Sequence, residues 1–367
     1  MQSEALGMCV WEGFTRIDLL AYMRSAKKPQ SFLQTLGSVR GRRCHDERDK
    51  VYGMLGLASG EWEGFVEVDY SKETEEVYRD VATAAAQRTG RLDFLSFCYG
   101  ARGEGVKVPS FVPDWTASID GVGHAAYLSR TFSISNFNAA HGVKAEWRLI
   151  EPEVAVFKGV AFDRVTVIGE TQKEDSITTA EILDSWLRVA KVGNVDFSSD
   201  EWDTRRVAEG SDELPDAEKR IWVFGQLMCG DVGCDWDEGN LFTRRADAIK
   251  DLPKYRKWHT WIAGGRTSED FDADVGYFDN AHMATVRDRR FIVTEKGFLG
   301  FAPISVTEGD VVAILAGGSV PYVLRRQSGV DGASDGYTLV GDAYVQGVMD
   351  GELLTRYKME FGQITLF

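Results

Sequence analysis

The stretch FIVTEKGFLGFAPISVTEGDVVAILAGGSVPYVL, residues 291–324, alternates short apolar runs with turns. Phe291 and Val293 lie two positions apart, as do Val311 and Ala313, which is the period of a strand with one buried face. Glycine stands at the breaks between these runs, at Gly297, Gly300, Gly309, Gly317 and Gly318. Short strands at such close spacing predict a small β-barrel or a curled antiparallel sheet.

Helical signals dominate the residues before this stretch. Residues 72–88 carry apolar side chains at helical spacing, with Ser71 as a cap and Gly90 beyond the end. Thr178-Thr179-Ala180-Glu181 reads as a capping box that starts another helix. The valines of residues 154–167 predict two strands that join near Gly159 or Asp163.

These patterns predict an α+β fold, in which a mainly helical N-terminal half packs on a C-terminal small β-barrel or curled antiparallel sheet. Three regions follow from them: residues 1–150, helical and rich in loops, residues 151–285, of mixed strands and helices, and residues 286–367, the β-rich region. The 367 residues are enough to bury one large shared core, so we expect one compact unit.

Composition narrows the choice of partners and compartment. The formal net charge of −15 repels phosphate backbones and anionic lipid surfaces, so neither nucleic acid nor a membrane is an expected partner. The five cysteines are scattered and odd in number, which is typical of a reducing compartment. Because the first residues lack the pattern of a signal peptide, a cytoplasmic location is expected.

A dense charge cluster turns abruptly apolar in RDKVYGMLGL, residues 48–57. Val51, Met54 and Leu55 fall at helical spacing, and Gly56 offers a stop. The simplest interpretation is a structural hinge in which Arg48 and Asp49 satisfy backbone groups and each other. A chemical role for the stretch is the alternative.

With its neighbours, this stretch resembles the "DxRDKVYALLGL" signature in the C-terminal region of fungal heterokaryon-incompatibility (HET) proteins. The likeness continues in PSFVPDW, residues 109–115, and in later segments that follow in the family's order. In HET proteins a signalling domain with a flavodoxin-like fold precedes this region. Since residues 48–57 lie close to Met1, we expect the chain to lack that N-terminal domain.

Motifs for known cofactors do not occur in the sequence. It holds neither a phosphate-binding loop ending in Gly-Lys-Ser/Thr nor a dinucleotide fingerprint after a strand. Its histidines show none of the helical spacings that pair metal ligands. We therefore expect no cofactor and no metal.

Four residues are candidates for catalysis, each with a structural alternative. His141 and His282 could act as an acid or hydrogen-bond donor if they face a closed pocket, and are otherwise surface or capping residues. Arg289 precedes a predicted strand and could polarise a carbonyl, or form an exposed ion pair. Tyr344 belongs to the closing motif and could instead hold the barrel against the helices.

Three further residues are candidates for substrate binding. Asp114 and Trp115 end the proline-rich turn, where they could line the mouth of a pocket or serve as a turn cap and a core residue. Arg325 follows a predicted strand and could bind a carboxylate, or form an exposed salt bridge.

Two functions follow from these observations. The first is a cofactor-independent cyclase of fungal specialised metabolism, which binds an apolar terpenoid or polyketide and catalyses a cyclisation or isomerisation such as an intramolecular Diels–Alder reaction. Holding a flexible substrate in a reactive fold can contribute about 7 kcal/mol or more, without a nucleophile. The alternative is a non-catalytic HET-related signalling or scaffold protein in fungal non-self recognition. The sequence does not indicate an oligomeric state.

Overall fold

A computed structural model describes residues 31–367 except 41, 58–63, 65, 100–105, 118–120, 172–177, 193–213, 238–239 and 328–335. The α-helices in this part are α1 (Phe32–Val39), α2 (Asp49–Tyr52), α3 (Thr74–Thr89), α4 (Gly121–Ser133), α5 (Ala180–Val192), α6 (Asp216–Met228), α7 (Ala248–Ala263), α8 (Ala273–Val286) and α9 (Glu352–Thr355). Short 3₁₀ turns lie at Leu55–Leu57, Asp93–Phe97 and Ile134–Asn136.

Most of the strands follow the long helices. They are β1 (Trp147–Glu151), β2 (Val154–Thr171), β3 (Val232–Asp237), β4 (Asn240–Arg245), β5 (Arg289–Thr294), β6 (Leu299–Pro303), β7 (Val311–Leu315), β8 (Tyr322–Gln327), β9 (Gly336–Asp342), β10 (Tyr344–Val345) and β11 (Gly362–Leu366). Strands β3 and β4 form a separate hairpin.

The main sheet curls until it closes on itself. Its order is β10-β6-β5-β2-β11-β9-β8-β7, and β7 pairs again with β2, so that β2, β11, β9, β8 and β7 form a ring. All pairings in this sheet are antiparallel except that of β11 with β9, where Leu366 lies beside Tyr337. Closure gives each strand of the ring a neighbour on both sides, whereas β10 and β1 are terminal strands of the sheet in the described residues.

Strand β2 holds the two parts of the sheet together. Its first half pairs with β11 and β7 inside the ring, and its last residues pair with β5 outside it. The two strands predicted near Gly159 and Asp163 are therefore one strand of 18 residues. A Cβ on Gly159 would lie 2.6 Å from the Leu315 side chain, so glycine here permits close strand contact. The pairing with β7 shifts register between Ala161 and Asp163, and a bulge of this kind bends a strand without ending it.

The helices cover one side of this sheet with large aromatic side chains. Trp186 of α5 stacks on Phe291 of β5 and meets Phe301 of β6 edge-on. Trp258 of α7 lies deeper, against Phe278 of α8. Full burial of such rings removes the largest apolar areas that the chain contains from water, and this drives the helical layer onto the sheet.

This architecture confirms the predicted α+β fold with a curled C-terminal sheet, and corrects its purely antiparallel character. Some helix starts also differ from the prediction. Helix α3 begins at Thr74, because Ser71 donates its hydroxyl to Asp69 and does not cap the helix. At α5 the Thr179 hydroxyl accepts from the amide of Ile182, so Thr179 and not Thr178 is the cap. The three-region division of the chain stays a prediction.

The RDKVYGMLGL segment joins three parts of the N-terminal region. Arg48 forms a bidentate ion pair with Asp46 and donates to the carbonyl oxygens of Tyr70 and Lys72. Asp49 instead accepts a 2.6 Å hydrogen bond from the Tyr70 hydroxyl. Arg48 and Asp49 thus serve structural contacts, as the hinge interpretation expects, but not with each other.

Candidate functional site

A cleft with a volume of about 560 Å³ opens on the outside of the barrel. Strands β8 and β9 form its floor, residues 107–110 one wall, and the turn at Glu153 another. Its lining mixes charged, hydroxyl and apolar side chains. Such a mixture suits a ligand that carries both polar and apolar groups.

Ser110 of the PSFVPDW segment positions this wall of the cleft. Strands β9 and β11 share one residue pair, so the sheet opens between them. Ser110 fills the opening, because its hydroxyl accepts from the Leu339 amide at 2.9 Å and donates to the carbonyl of Phe367. The Ser110 amide also donates to that carbonyl, at 3.0 Å. The segment around Ser110 therefore takes the place of a strand in the opening between β9 and β11.

Arg325 lies at the rim of the same cleft, with its side chain 38% exposed. Its Nε and Nη2 atoms donate to the two carboxylate oxygens of Asp310 at 2.9 and 2.8 Å, and Nη2 also donates to the carbonyl of Ser305. The hydrogen bond to Asp310 raises the pKa of Arg325. The Asp310 carboxylate therefore already neutralises part of the positive charge that Arg325 brings to the cleft.

Strand β1, beside the cleft, presents an open edge. It pairs with β2, and no other strand in the described part of the chain takes its second edge. Leu149 and Ile150 are 41% and 48% exposed. An edge strand with exposed apolar side chains is a template for strand addition by another polypeptide.

Two of the predicted catalytic residues meet at a small, partly open cavity of about 40 Å³ between the helices and the barrel. Arg289 is 2% exposed, donates to the carbonyl of Phe301 at 3.1 Å and forms an ion pair with Asp342. Burial lowers the pKa of Arg289 to about 10, although the Asp342 carboxylate favours its charged form. Tyr344 lines the same cavity, and burial raises the pKa of its hydroxyl.

His282 lies elsewhere, in the middle of the helical layer. Its ring lies between the rings of Trp258, at a centroid distance of 4.6 Å, and Trp186, at 6.2 Å, and is tilted to both. Nδ1 lies 2.9 Å from the carbonyl oxygen of Met228, which can only accept, so Nδ1 carries the proton. Nε2 then accepts from the Thr178 hydroxyl at 2.7 Å. Burial lowers the pKa of His282 to about 3, and its ring is neutral.

The remaining candidates take structural positions. The Asp114 carboxylate accepts from the amide and hydroxyl of Thr116, and thereby caps a turn. Trp115 is buried beneath the guanidinium of Arg40, 5.7 Å from its ring centroid. His141 is exposed in a turn and has a positive φ of 52°.

The structure thus brings Arg289 and Tyr344 together, places Arg325 at the outer cleft, and separates the other predicted site residues. Their assigned roles stay predictions. Sequence reasoning did not single out Arg130 and Asp342, which share the cavity with Arg289. No spacing in the sequence links Arg130 to Asp342, since they come from α4 and β9 and meet only when the helices dock on the sheet.

Comparison with known proteins finds a partial match to one family model and a distant similarity to a curated protein. The family model described as Het-6 beta-barrel domain matches residues 240–362. The chain is also distantly similar to "Heterokaryon incompatibility protein 6, OR allele" of Neurospora crassa, at 24% identity over 355 residues. That alignment covers 84% of this chain and 49% of the relative, so the chain spans about half the relative's length. No solved structure matches the chain. Within the described residues, no helix has the length and apolar character needed to cross a membrane.

Proposed function

We propose that this protein takes part in fungal heterokaryon incompatibility as a non-catalytic, HET-related component that binds another protein. The observation that carries the proposal is its similarity to the Neurospora crassa incompatibility protein along most of the chain. The similarity extends well beyond the residues that match the barrel domain. A role shared with that relative would therefore draw on both the helical layer and the barrel.

The geometry supports a binding role through strand β1. Its second edge has no strand partner among the described residues, and Leu149 and Ile150 add exposed apolar side chains beside it. Strand addition of this kind needs no catalytic group. The candidate acid–base residue His282, by contrast, has both ring nitrogens bound inside the protein.

A heterokaryon test examines this proposal directly. One of two otherwise compatible fungal strains expresses the chain, and viable heterokaryons are counted after fusion. We expect the wild-type chain to reduce viability and the double substitution Leu149→Asp/Ile150→Asp to restore it. The control is Ile249→Asp, because Ile249 is a comparably exposed isoleucine on α7. The proposal fails if the wild-type chain has no effect, or if the edge variant and the control behave alike.

A cofactor-independent cyclase is the second candidate, and the outer cleft favours it. Its 560 Å³ falls within the range of small-molecule sites. The cleft would have to fold a flexible terpenoid or polyketide, with Arg325 near a carbonyl that gains charge. Incubation with linear precursors tests this candidate. A product distribution identical to that in buffer would exclude it.

A further inference from the structure

The 40 Å³ cavity between the helices and the barrel has a surplus of positive charge. Among its lining residues the charged groups are Arg130 from α4, Arg289 from β5 and Asp342 from β9. Two guanidinium groups therefore face one carboxylate. Tyr344 from β10 adds a hydroxyl, and the Ser133 and Thr285 hydroxyls already donate to carbonyl groups of their own helices.

Among the described residues, the Nε atoms of both guanidinium groups have no hydrogen-bond partner. Arg289 uses its Nη atoms on Asp342 and on the Phe301 carbonyl, while its buried Nε–H has no partner among the described residues. Arg130 donates from Nη1 to the Ala284 carbonyl. Its Nε lies 4.0 Å from the nearer Asp342 oxygen, which is too far for a hydrogen bond, and is likewise unpaired in the described chain.

From this arrangement we infer that the cavity is a binding site for one small monovalent anion of halide size. A buried cation without a compensating charge costs several kcal/mol, and an anion between Arg130 and Arg289 would supply that charge. A water molecule needs about 10–15 Å³ of such space, so the cavity is large enough for one ion slightly larger than water. The two guanidinium groups disfavour a metal cation at the same place.

An anion here would act on the whole architecture, independently of the proposed function. Arg130 belongs to the helical layer, and Arg289 and Asp342 belong to the sheet. The rings of Tyr99 and Tyr127 hold Arg130 in place, at 5.3 and 5.7 Å from its guanidinium carbon. The occupant would therefore link the two layers, and their separation on unfolding would release it.

Bromide is the probe for this site, because it can be located by anomalous scattering. We expect crystals grown with bromide to show one anomalous peak inside the cavity. We also expect the equilibrium constant for urea unfolding to fall tenfold for each tenfold rise in bromide above saturation, at constant ionic strength set with gluconate. A cavity that holds only water in these crystals would overturn the inference.

Substitution of the surplus arginine provides the matched test. Arg130→Gln removes one positive charge but leaves the Arg289–Asp342 pair, so its stability should no longer depend on bromide. Arg326→Gln removes the same charge from an exposed position on β8 and should keep the wild-type dependence. Equal bromide dependence in both variants would contradict the assignment. If Arg130→Gln does not fold, the anomalous peak in wild-type crystals decides.

Discussion

Two arginine–aspartate pairs flank the barrel, and they lie in opposite environments. Arg289 and Asp342 are both buried, at the contact between the helical layer and the sheet. Asp310 is buried as well, but its partner Arg325 has a side chain that is 38% exposed at the rim of the outer cleft. In the sequence each of the two arginines stands beside a second arginine at a strand boundary, Arg289 before a predicted strand and Arg325 after one.

The difference shows that the environment, and not the pair, sets the energetic role. If Arg325 loses its carboxylate, it can turn into water. Arg289 cannot do so without opening the contact between the layers. Removal of one partner from a buried pair therefore lowers the stability of the protein far more than the same removal from an exposed pair. The following variants test this difference, beginning with the one expected to cost the most stability.

Asp342→Asn should have the largest effect. It leaves Arg289 charged and buried without a carboxylate, and we expect it to lower the free energy of unfolding by about 3–5 kcal/mol. The matched control is Asp310→Asn, which leaves Arg325 beside solvent and should cost about 1 kcal/mol. Urea unfolding followed by tryptophan fluorescence measures both. Equal losses would show that the two pairs do not differ in the way their burial implies.

His282 should make the buried helical layer sensitive to acid. Its folded-state pKa of about 3 lies below the ordinary 6.5, so below pH 6.5 the unfolded chain binds a proton that the folded chain does not. The stability that neutral His282 contributes is complete above pH 6.5 and decreases toward pH 3. At about 1.4 kcal/mol per pH unit, the loss at pH 5 is about 2 kcal/mol.

The measurement compares unfolding free energies of wild type and His282→Gln from pH 7.5 to pH 5. The difference between the two proteins should shrink as the pH falls, because glutamine does not titrate. Parallel curves would mean that His282 does not carry this dependence.

Ser110→Ala tests the hydrogen bonds that Ser110 makes in the opening between β9 and β11. The substitution leaves the buried Leu339 amide without its acceptor, and we expect a loss of about 1–2 kcal/mol. Hydrogen exchange at Leu339 should accelerate more than exchange in β5. Ser305→Ala is the control, since Ser305 lines the same cleft but is exposed. Unchanged exchange at Leu339 would contradict the assigned role.

Leu149→Asp should have the smallest effect on stability, below about 0.5 kcal/mol, because the Leu149 side chain is already 41% exposed. Thermal unfolding measures it, with Ile249→Asp for comparison. A loss comparable to that of Ser110→Ala would mean that β1 supports the barrel, and would remove it as a surface for partners.

Local patterns predicted the elements of this fold well. The run of short apolar segments and glycines after Asp288 predicts the curled sheet. Gly90, which has a positive φ, ends α3 as expected. The closure of the ring was not predictable in detail. It depends on the pairing of Val160 with Ile314, whose positions in the sequence carry no shared signal.

The site was less accessible to sequence reasoning for a related reason. The segment PSFVPDW is visible as a motif, yet the role of Ser110 exists only because β9 and β11 separate beside it. Arg289 is visible as a charge, yet its burial depends on residues from α4 and β9. Burial and charge compensation are properties of packed layers, and a linear pattern does not report them.

The long strand β2 also governs the order in which the molecule can form. The barrel-domain match begins at residue 240, after β2, and ends at the first residue of β11. A fragment with those limits would leave β5 and β7 without their β2 partner and expose strand edges that aggregate. During synthesis β2 leaves the ribosome well before β7 and β11, so its pairing requires slow, distant loop closure. Only the local pairing of β2 with β1 can form early, and its pairings with β5, β7 and β11 form after those later strands have been made.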